Sequence, residues 1–183
     1  MRPDYPIETD RLVLRPFELG DVDDVLVYRS LPEVNRYLYC EPCTREEAAA
    51  GLAKWAGQDE ITGEGQTLAL AVTLEGRVIG EVDLKWLSEQ HRQGEIGYIF
   101  NPAHQGNGYA REAAEIMLGI GFGELGLHRI IADCDARNER SWRVMERLGM
   151  RREAHFRHNE IVKGEWGDRF VYAMLAEEHR QLK

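Results

Sequence analysis

Hydrophobic and polar residues alternate along several short stretches of the chain and recur with helical spacing along others. Alternation is typical of strands with one face in the core, and a repeat at i, i+3, i+4 and i+7 is typical of a helix with one buried face. Strand and helix patterns are mixed along the chain, which predicts an α/β fold. The predicted strands span residues 11–17, 67–74, 77–87, 94–100, 128–136, 150–158 and 166–175.

Helices are predicted where a capping residue precedes a run of helical spacing. Thr44 and Glu47 form the pattern of a capping box, so a helix is expected to follow them to about residue 57. Asn138 is placed to cap a second helix, and Gly149 is placed to end it. A further helix is predicted to begin near Asn107, and its inward positions are Ala110, Ala113, Ala114, Met117, Leu118 and Gly121.

The segment between the predicted strand 94–100 and the helix near Asn107 has the pattern of an anion site. Pro102 cannot donate a hydrogen bond to a neighbouring strand, so the strand is expected to end before it. Gly106 and Gly108 allow a tight turn and the close approach of a ligand to the backbone. The first turn of a helix has unpaired N–H groups and the positive end of the helix dipole, which together favour a phosphate. A tight connection that binds nothing is the alternative.

Two common phosphate-binding motifs are excluded at this position. A Walker A loop requires Gly-Lys followed by Ser or Thr, and this combination does not follow Gly106. The dinucleotide motif requires a third glycine at the position where Arg111 stands. A phosphate site here would therefore belong to another class.

The segment Gln105-Gly106-Asn107-Gly108-Tyr109-Ala110 resembles the Gln/Arg-x-x-Gly-x-Gly/Ala signature of the GCN5-related N-acetyltransferases. In that family, the loop holds the pyrophosphate of acetyl coenzyme A. The resemblance covers about residues 7–175, and further segments resemble the branch that acetylates the N-termini of ribosomal proteins. These segments are Glu8-Thr9-Asp10-Arg11-Leu12-Val13-Leu14-Arg15, Gly97-Tyr98, Arg111-Glu112-Ala113, Asn138-x-x-Ser141 and Leu148-Gly149-Met150.

The resemblance implies both a fold and a cosubstrate. The implied fold is a single domain over residues 1–183 with a core of about 7–175. It is a mixed β-sheet with helices on both faces and a V-shaped opening between the strands 94–100 and 128–136. The implied cosubstrate is acetyl coenzyme A, without a metal, and its pantetheine arm would pair with the strand before the loop. The residues expected to bind it are Tyr98, Ile99, Phe100, Gln105, Gly106, Asn107, Gly108, Tyr109, Ala110, Asn138 and Arg143.

Acetylation of an amine also requires a group that takes a proton from the amine. Glu95 is the predicted base, because it lies in the strand beside the loop among apolar residues that would raise its pKa. A structural role for this glutamate is the alternative. Glu160, Asp168 and Asp83 are rivals for the role of base.

Ser141 is the predicted proton donor to the leaving thiolate. Many relatives in the family have a tyrosine where this chain has Met145, and a thioether cannot donate a proton. Ser141 shares the inward face of its predicted helix with Met145, so its hydroxyl is the nearest by spacing. The alternative is that this hydroxyl only bonds back to its own helix or cap.

Net charge and cysteine content limit the classes of partner and the cellular location that are expected for this chain. The formal net charge of the 183-residue chain is −9, which disfavours nucleic acid because nonspecific binding to it depends on basic surface. This charge suits a cationic amine, although it could serve solubility alone. No stretch suits a membrane span, and three cysteines without a secretory leader predict a cytoplasmic location. Cys40 and Cys43 have CxxC spacing, but no second pair completes a zinc site.

The sequence and the resemblance together predict an N-acetyltransferase that moves an acetyl group from acetyl coenzyme A to a primary amine. A protein N-terminal α-amine is the first expectation for the acceptor. A polyamine, an amino acid or an aminoglycoside is the alternative among small molecules. A non-catalytic sensor that binds coenzyme A is the rival function, favoured by the missing tyrosine at Met145, and assembly into a homodimer is left open.

Overall fold

The computed structural model describes residues 1–182, and Lys183 lies outside the described residues. Within that range, eight strands form one sheet in the order β1-β2-β3-β4-β5-β6-β8-β7. The strands are β1 Ile7–Glu8, β2 Val13–Arg15, β3 Thr67–Leu74, β4 Arg77–Ser88, β5 Gln93–Phe100, β6 Arg129–Asp135, β7 Arg151–Val162 and β8 Glu165–Leu175. The α-helices are α1 Val22–Arg29, α2 Pro32–Asn35, α3 Arg45–Trp55, α4 Tyr109–Gly119, α5 Glu139–Arg147 and α6 Ala176–Gln181.

The sheet is mixed, as predicted, and it opens between its two central strands. β5 and β6 run parallel, whereas β5 is antiparallel to β4 and β6 is antiparallel to β8. The β5–β6 ladder begins at Gln93 and Arg129 and ends at Glu95 and Ile131, although β5 continues to Phe100. The two strands therefore diverge after Glu95, which confirms the predicted V-shaped opening.

Helices cover both faces of the sheet, and each face has its own hydrophobic core. On one side, which we call the α4 face, Met117 packs against strand residues such as Val82. On the other side, the α3 face, Tyr28 and Leu52 pack against strand residues such as Ala71. Because successive side chains of a strand point to opposite faces, β4 and β5 present different residues to the two sides.

Both long hairpins turn on residue pairs with positive φ. Glu75 and Gly76, with φ of 51° and 79°, connect β3 to β4 as predicted. Lys163 and Gly164, with φ of 51° and 82°, connect β7 to β8. Because this second turn uses only two residues, β7 and β8 extend beyond the predicted ranges 150–158 and 166–175.

Two boundaries near the predicted anion site are corrected by the structure. β2 covers only Val13–Arg15 of the predicted range 11–17, because Arg11 bonds to α4 instead of continuing the strand. α4 begins at Tyr109 and not near Asn107, because Gly108 has a φ of 84°, which is not helical.

Candidate active site

The loop between β5 and α4 turns on two glycines in the left-handed region. φ is 83° at Gly106 and 84° at Gly108, where a residue with a side chain would be strained. Between them, the side-chain amide of Asn107 donates hydrogen bonds to the backbone oxygens of His104, at 3.1 Å, and Gln105, at 3.3 Å. The loop therefore folds back on itself, and the chain enters α4 directly after Gly108.

The backbone N–H groups of residues 106–111 make no hydrogen bond to any of residues 1–182. The next N–H group along the chain, that of Glu112, donates to the oxygen of Gly108 at 3.1 Å. Tyr109 and Ala110 supply two of the unpaired groups, at the positive end of an 11-residue helix. Because a phosphate would accept such hydrogen bonds, the loop fits the pyrophosphate of acetyl coenzyme A.

Two side chains predicted to bind the cosubstrate are engaged with protein groups. The amide nitrogen of Gln105 donates to the backbone oxygen of Phe100 at 3.1 Å, and its amide oxygen accepts from Arg140 at 2.7 Å. This bridge joins the end of β5 to α5. Arg143 pairs with Glu139 at 2.7 Å on the exposed surface of α5, and its contact with the cosubstrate stays a prediction.

The end of β5 lines the opening of the sheet. Tyr98, Ile99 and Phe100 lie beyond the last β5–β6 pair, so their edge toward β6 has no ladder partner. An extended ligand can pair with a strand edge of this kind. The side chains of Tyr98 and Phe100 turn to the α4 face, and that of Ile99 turns to the α3 face.

The phenol of Tyr98 is a feature that sequence reasoning missed. It donates to the backbone oxygen of Ser141 at 2.8 Å, and the hydroxyl of Ser141 donates to the phenol oxygen at 3.3 Å. Asn138 caps α5, because its side chain accepts from the N–H of Ser141 at 3.3 Å. The Ser141 hydroxyl thus reaches across to β5. Alternation along β5, which sets Tyr98 on the same face as Ile96, is the signal that the sequence contained.

Cys134 lies on β6 beside this pair of hydroxyls. Burial raises the pKa of its thiol to about 12, although a hydrogen bond with Ser141 acts in the opposite direction. Such a thiol stays protonated at neutral pH and is therefore a poor nucleophile. Cys40 and Cys43 are also free thiols.

Four carboxylates lie on the α3 face, on three successive strands. They are close enough to influence one another's pKa. Carboxylates on its own strand and on an adjacent strand help to raise the pKa of Asp83, and a carboxylate on an adjacent strand helps to raise the pKa of Glu95. We call this set the acidic face. Its members are Glu81 and Asp83 on β4, Glu95 on β5 and Asp133 on β6.

Two members of the acidic face are held by arginines and two are not. Arg29 pairs with Glu81, and Arg169 pairs with Asp133. The other two carboxylates make no hydrogen bond or ion pair within the described part of the chain. These two groups are therefore available to a substrate.

Asp83 lies on β4 opposite Gly97, which belongs to the part of β5 beyond its last pair with β6. A Cβ atom at Gly97 would lie only 2.6 Å from Oδ1 of Asp83, so a side chain there would displace this carboxylate. Asp83 lines a cavity together with Trp55 and Ile99. Burial, followed by the neighbouring carboxylates, raises its pKa to about 7. A pKa near the working pH suits a general base.

Glu95, the predicted base, is half-buried on the same face. Burial, followed by another carboxylate of the acidic face, raises its pKa. The rivals Glu160 and Asp168 are both engaged elsewhere, since Glu160 accepts from Arg169 at 3.0 Å and Asp168 lies 2.7 Å from the ring nitrogen of His155. The structure therefore brings Glu95 close to one rival, Asp83, whereas Glu160 and Asp168 lie on β7 and β8 and are paired with other groups.

None of the described helices is both long and apolar enough to cross a membrane. Among residues 1–182, no group of three or more His, Cys, Asp or Glu side chains is arranged to hold a metal ion.

Comparison with known proteins gives consistent matches over most of the chain. The family model of the acetyltransferase (GNAT) domain matches residues 11–151. The chain is 38% identical over 172 residues to the uncharacterized N-acetyltransferase YnaD of Bacillus subtilis strain 168, covering 94% of this chain and 98% of that one. It is 28% identical over 169 residues to the spermidine N(1)-acetyltransferase of Escherichia coli K12, covering 92% and 87%.

A solved structure agrees with these sequence matches. The GNAT-family acetyltransferase from Bacillus anthracis superposes with a TM-score of 0.83 at 36% identity, covering 94% of this chain and 99% of that one. The fold, the unpaired N–H groups of the loop and the matches agree. The chain therefore belongs to the GCN5-related N-acetyltransferase family and is an acetyl coenzyme A-dependent N-acetyltransferase.

Proposed function

We propose that this enzyme acetylates a primary amine of a small aliphatic polycation, which enters along the acidic face. The observation behind the proposal is the position of Asp83, an unpaired carboxylate that stands over Gly97 at the opening between β5 and β6. Its pKa of about 7 allows it to be ionised in part of the population at neutral pH. An ionised Asp83 attracts a cationic amine and can also take its proton.

The residues that would hold acetyl coenzyme A lie on the loop and on β5. The N–H groups of residues 106–111 would bind the pyrophosphate, and the free edge of Tyr98, Ile99 and Phe100 would bind the pantetheine arm. When bound, acetyl coenzyme A supplies an acetyl thioester as the acyl donor. The cap of α5, Asn138, would lie beside that arm.

The proton movements are assigned to side chains on the two faces of the opening. We assign the role of base to Asp83, whose carboxylate oxygens would accept a proton from the substrate ammonium group. Glu95 lies beside it on the acidic face, so the two carboxylates are expected to titrate as a coupled pair. Ser141 is retained as the proposed proton donor to the leaving thiolate, because Met145 is buried and cannot donate.

A polycation is favoured as acceptor over a protein α-amine by the acidic face. The two unpaired carboxylates, Asp83 on β4 and Glu95 on β5, would attract a substrate with more than one positive charge. The similarity to a spermidine acetyltransferase over nearly the whole chain is consistent with this choice. A protein α-amine is the second candidate acceptor. It is supported by the sequence segments that resemble the branch acetylating ribosomal proteins.

A panel of amines tests the proposal directly. Purified enzyme with acetyl coenzyme A is assayed for release of free thiol with spermidine, a simple monoamine, an aminoglycoside and a peptide with a free N-terminus. The highest kcat/KM is expected with spermidine, and Asp83→Asn should lower it by roughly 10²-fold or more, as for the loss of a general base.

The other outcomes of the panel have definite meanings. Preference for the peptide would replace the polycation with the protein α-amine. Turnover of spermidine at an unchanged rate in Asp83→Asn would remove Asp83 from the mechanism and return the role of base to Glu95.

Three remaining expectations are also part of the proposal. We propose that the whole chain is one acetyltransferase domain, since the family model covers residues 11–151 and the sheet continues on both sides of that range. A cytoplasmic location is proposed on the basis of the three free thiols. Assembly into a homodimer stays a prediction.

A further inference from the structure

Two guanidinium nitrogens of Arg11 contact Glu112 and join the N-terminal segment to α4. Nε and Nη2 of Arg11 donate to one carboxylate oxygen of Glu112, at 2.8 and 2.5 Å. The backbone N–H of Arg11 donates to the other oxygen at 3.2 Å, and the hydroxyl of Thr9 donates to the same oxygen at 2.5 Å. Both oxygens of Glu112 are therefore used by the segment between β1 and β2.

The third nitrogen of Arg11 reaches the loop itself. Nη1 donates to the backbone oxygen of Asn107 at 2.8 Å. The guanidinium group also lies 4.7 Å from the centre of the Tyr109 ring, within the range of a cation–π contact. A Cβ atom at Gly108 would lie 3.5 Å from Nη2. Arg11 thus contacts Asn107 in the loop and Tyr109 at the helix start, on either side of Gly108.

The loop needs such a contact because its own residues do little to fix it. Gly106 and Gly108 have more backbone freedom than other residues, and ordering them costs conformational entropy. The free energy of pyrophosphate binding would have to offset that entropy loss unless the protein had already ordered the loop. Within residues 104–108, the other side-chain restraints are Gln105, which bonds to Phe100 and Arg140 before the first glycine, and Asn107, which bonds to its local neighbours.

We propose that Thr9, Arg11 and Glu112 act as a clamp that orders the loop before acetyl coenzyme A binds. The clamp is a positioning device and does not touch the reacting atoms. The inference rests on the proposed role of the loop in binding the cosubstrate. It assigns a function to the Thr9-x-Arg11 segment, which lies outside the proposed cosubstrate site.

Removal of the charge of Glu112 distinguishes the clamp from a purely electrostatic effect on binding. An anion in the first turn of α4 repels an anionic cosubstrate, so its removal should tighten binding if charge alone mattered. Hydrogen bonds from Thr9 and Arg11 outweigh the effect of burial and lower the pKa of Glu112, so it is ionised at neutral pH. If the clamp orders the loop, removal of this anion weakens binding, which is the opposite result.

The experiment measures coenzyme A binding by calorimetry in Arg11→Ala, Arg11→Lys, Glu112→Ala and the double variant Arg11→Ala/Glu112→Ala. Each single change is expected to raise Kd by about tenfold or more, as for loss of a charged hydrogen bond, with kcat at saturating acetyl coenzyme A nearly unchanged. Arg11→Lys should also weaken the binding of coenzyme A, because lysine keeps the positive charge but lacks the several N–H donors of the guanidinium group. The double variant should be no weaker than the worse single one, because both changes break one unit.

A matched control and a second readout guard against a general loss of stability. Arg2 pairs with the partly buried Asp59 at 2.5 Å, away from the loop, so Arg2→Ala removes a similar ion pair and should bind coenzyme A normally. In the free protein, ¹⁵N relaxation of residues 106–111 should report greater motion in the clamp variants than in the wild type and in Arg2→Ala.

The outcomes also separate the clamp from the loop. Tighter binding in Glu112→Ala, or normal binding in Arg11→Lys, would overturn the clamp. If Gly108→Val does not bind coenzyme A while the clamp variants bind it normally, the role of the loop is supported and the role of the clamp is rejected. If Gly108→Val binds normally, the proposed role of the loop itself fails.

Discussion

At the scale of single residues, Asp83 combines the features that a general base needs. It is half-buried, it has no hydrogen-bond partner within the described residues, and it faces a cavity beside the opening of the sheet. Burial and neighbouring charges penalise its ionised form, which is why its pKa rises from 3.8 to about 7. The same environment that lowers stability at high pH thus produces a base suited to neutral pH.

Replacement of Asp83 by asparagine should therefore change the dependence of stability on pH. A raised pKa means that the neutral carboxyl stabilises the folded state below about pH 4, and this contribution is lost as the pH rises to about 7 and beyond. Asp83→Asn is always neutral, so it should match the wild type in Tm near pH 4 and exceed it above pH 7. Thermal unfolding at several pH values measures this difference.

The matched control for that series is Asp23→Asn, which changes an exposed carboxylate in an ion pair with Arg45. It should not produce a Tm gain that grows between pH 4 and 7. Equal Tm values for Asp83→Asn and wild type at every pH would contradict the raised pKa. In activity, the acid limb of the wild-type kcat/KM profile should lie near pH 7 and be lost in Asp83→Asn.

At the scale of elements, the proposed anion site lies at the junction of β5 and α4. The strand delivers the chain to the opening, two left-handed glycines reverse it, and the helix starts with its N–H groups unpaired. Each part depends on the next, because a side chain at Gly108 would be strained at the positive φ from which α4 begins. The site is therefore a property of the junction and of no single residue.

Gly108→Val should reduce binding of coenzyme A by roughly 100-fold or more. A β-branched residue at a φ of 84° is strained by about 1–3 kcal/mol, and relief of that strain would move the N–H groups out of alignment. Calorimetry with coenzyme A measures the loss. Gly63→Val is the control, because Gly63 lies in a surface loop with open space around it and no positive φ.

At the scale of the whole molecule, the sheet separates two chemical environments. The α4 face holds the loop, α5 and the hydroxyls of Tyr98 and Ser141. The α3 face holds the four carboxylates of the acidic face. The opening after Glu95 is the place where the two environments meet, since β5 and β6 lose their ladder there. Cosubstrate and amine can therefore approach from opposite sides.

This arrangement predicts that salt weakens the use of polyamines more than the use of monoamines. Ions screen the attraction between the acidic face and a distant charge of the substrate, and a polyamine has more such charges. The ratio of kcat/KM for spermidine to that for a monoamine should fall as ionic strength rises. A ratio that is independent of salt would indicate that the acidic face does not select the acceptor.

The sequence by itself determined the features that depend on neighbouring residues. The capping box of Thr44 and Glu47, the cap at Asn138 and the loop between β5 and α4 were all predictable, because caps and tight turns are set by local geometry. The mixed sheet and its opening were predictable through the family resemblance. The predicted strand start at Arg11 was wrong, because Arg11 bonds to a distant partner, Glu112.

Tertiary structure decided which side chains meet. Asp83 faces Gly97 only because β4 and β5 pair in one register, and a shift of one residue would turn Asp83 to the other face. Arg11 and Glu112 are 101 residues apart, and Tyr98 and Ser141 are 43 apart. Local patterns define the face on which a side chain lies, but contacts between distant segments depend on strand register and helix packing, which arise only when the whole core forms.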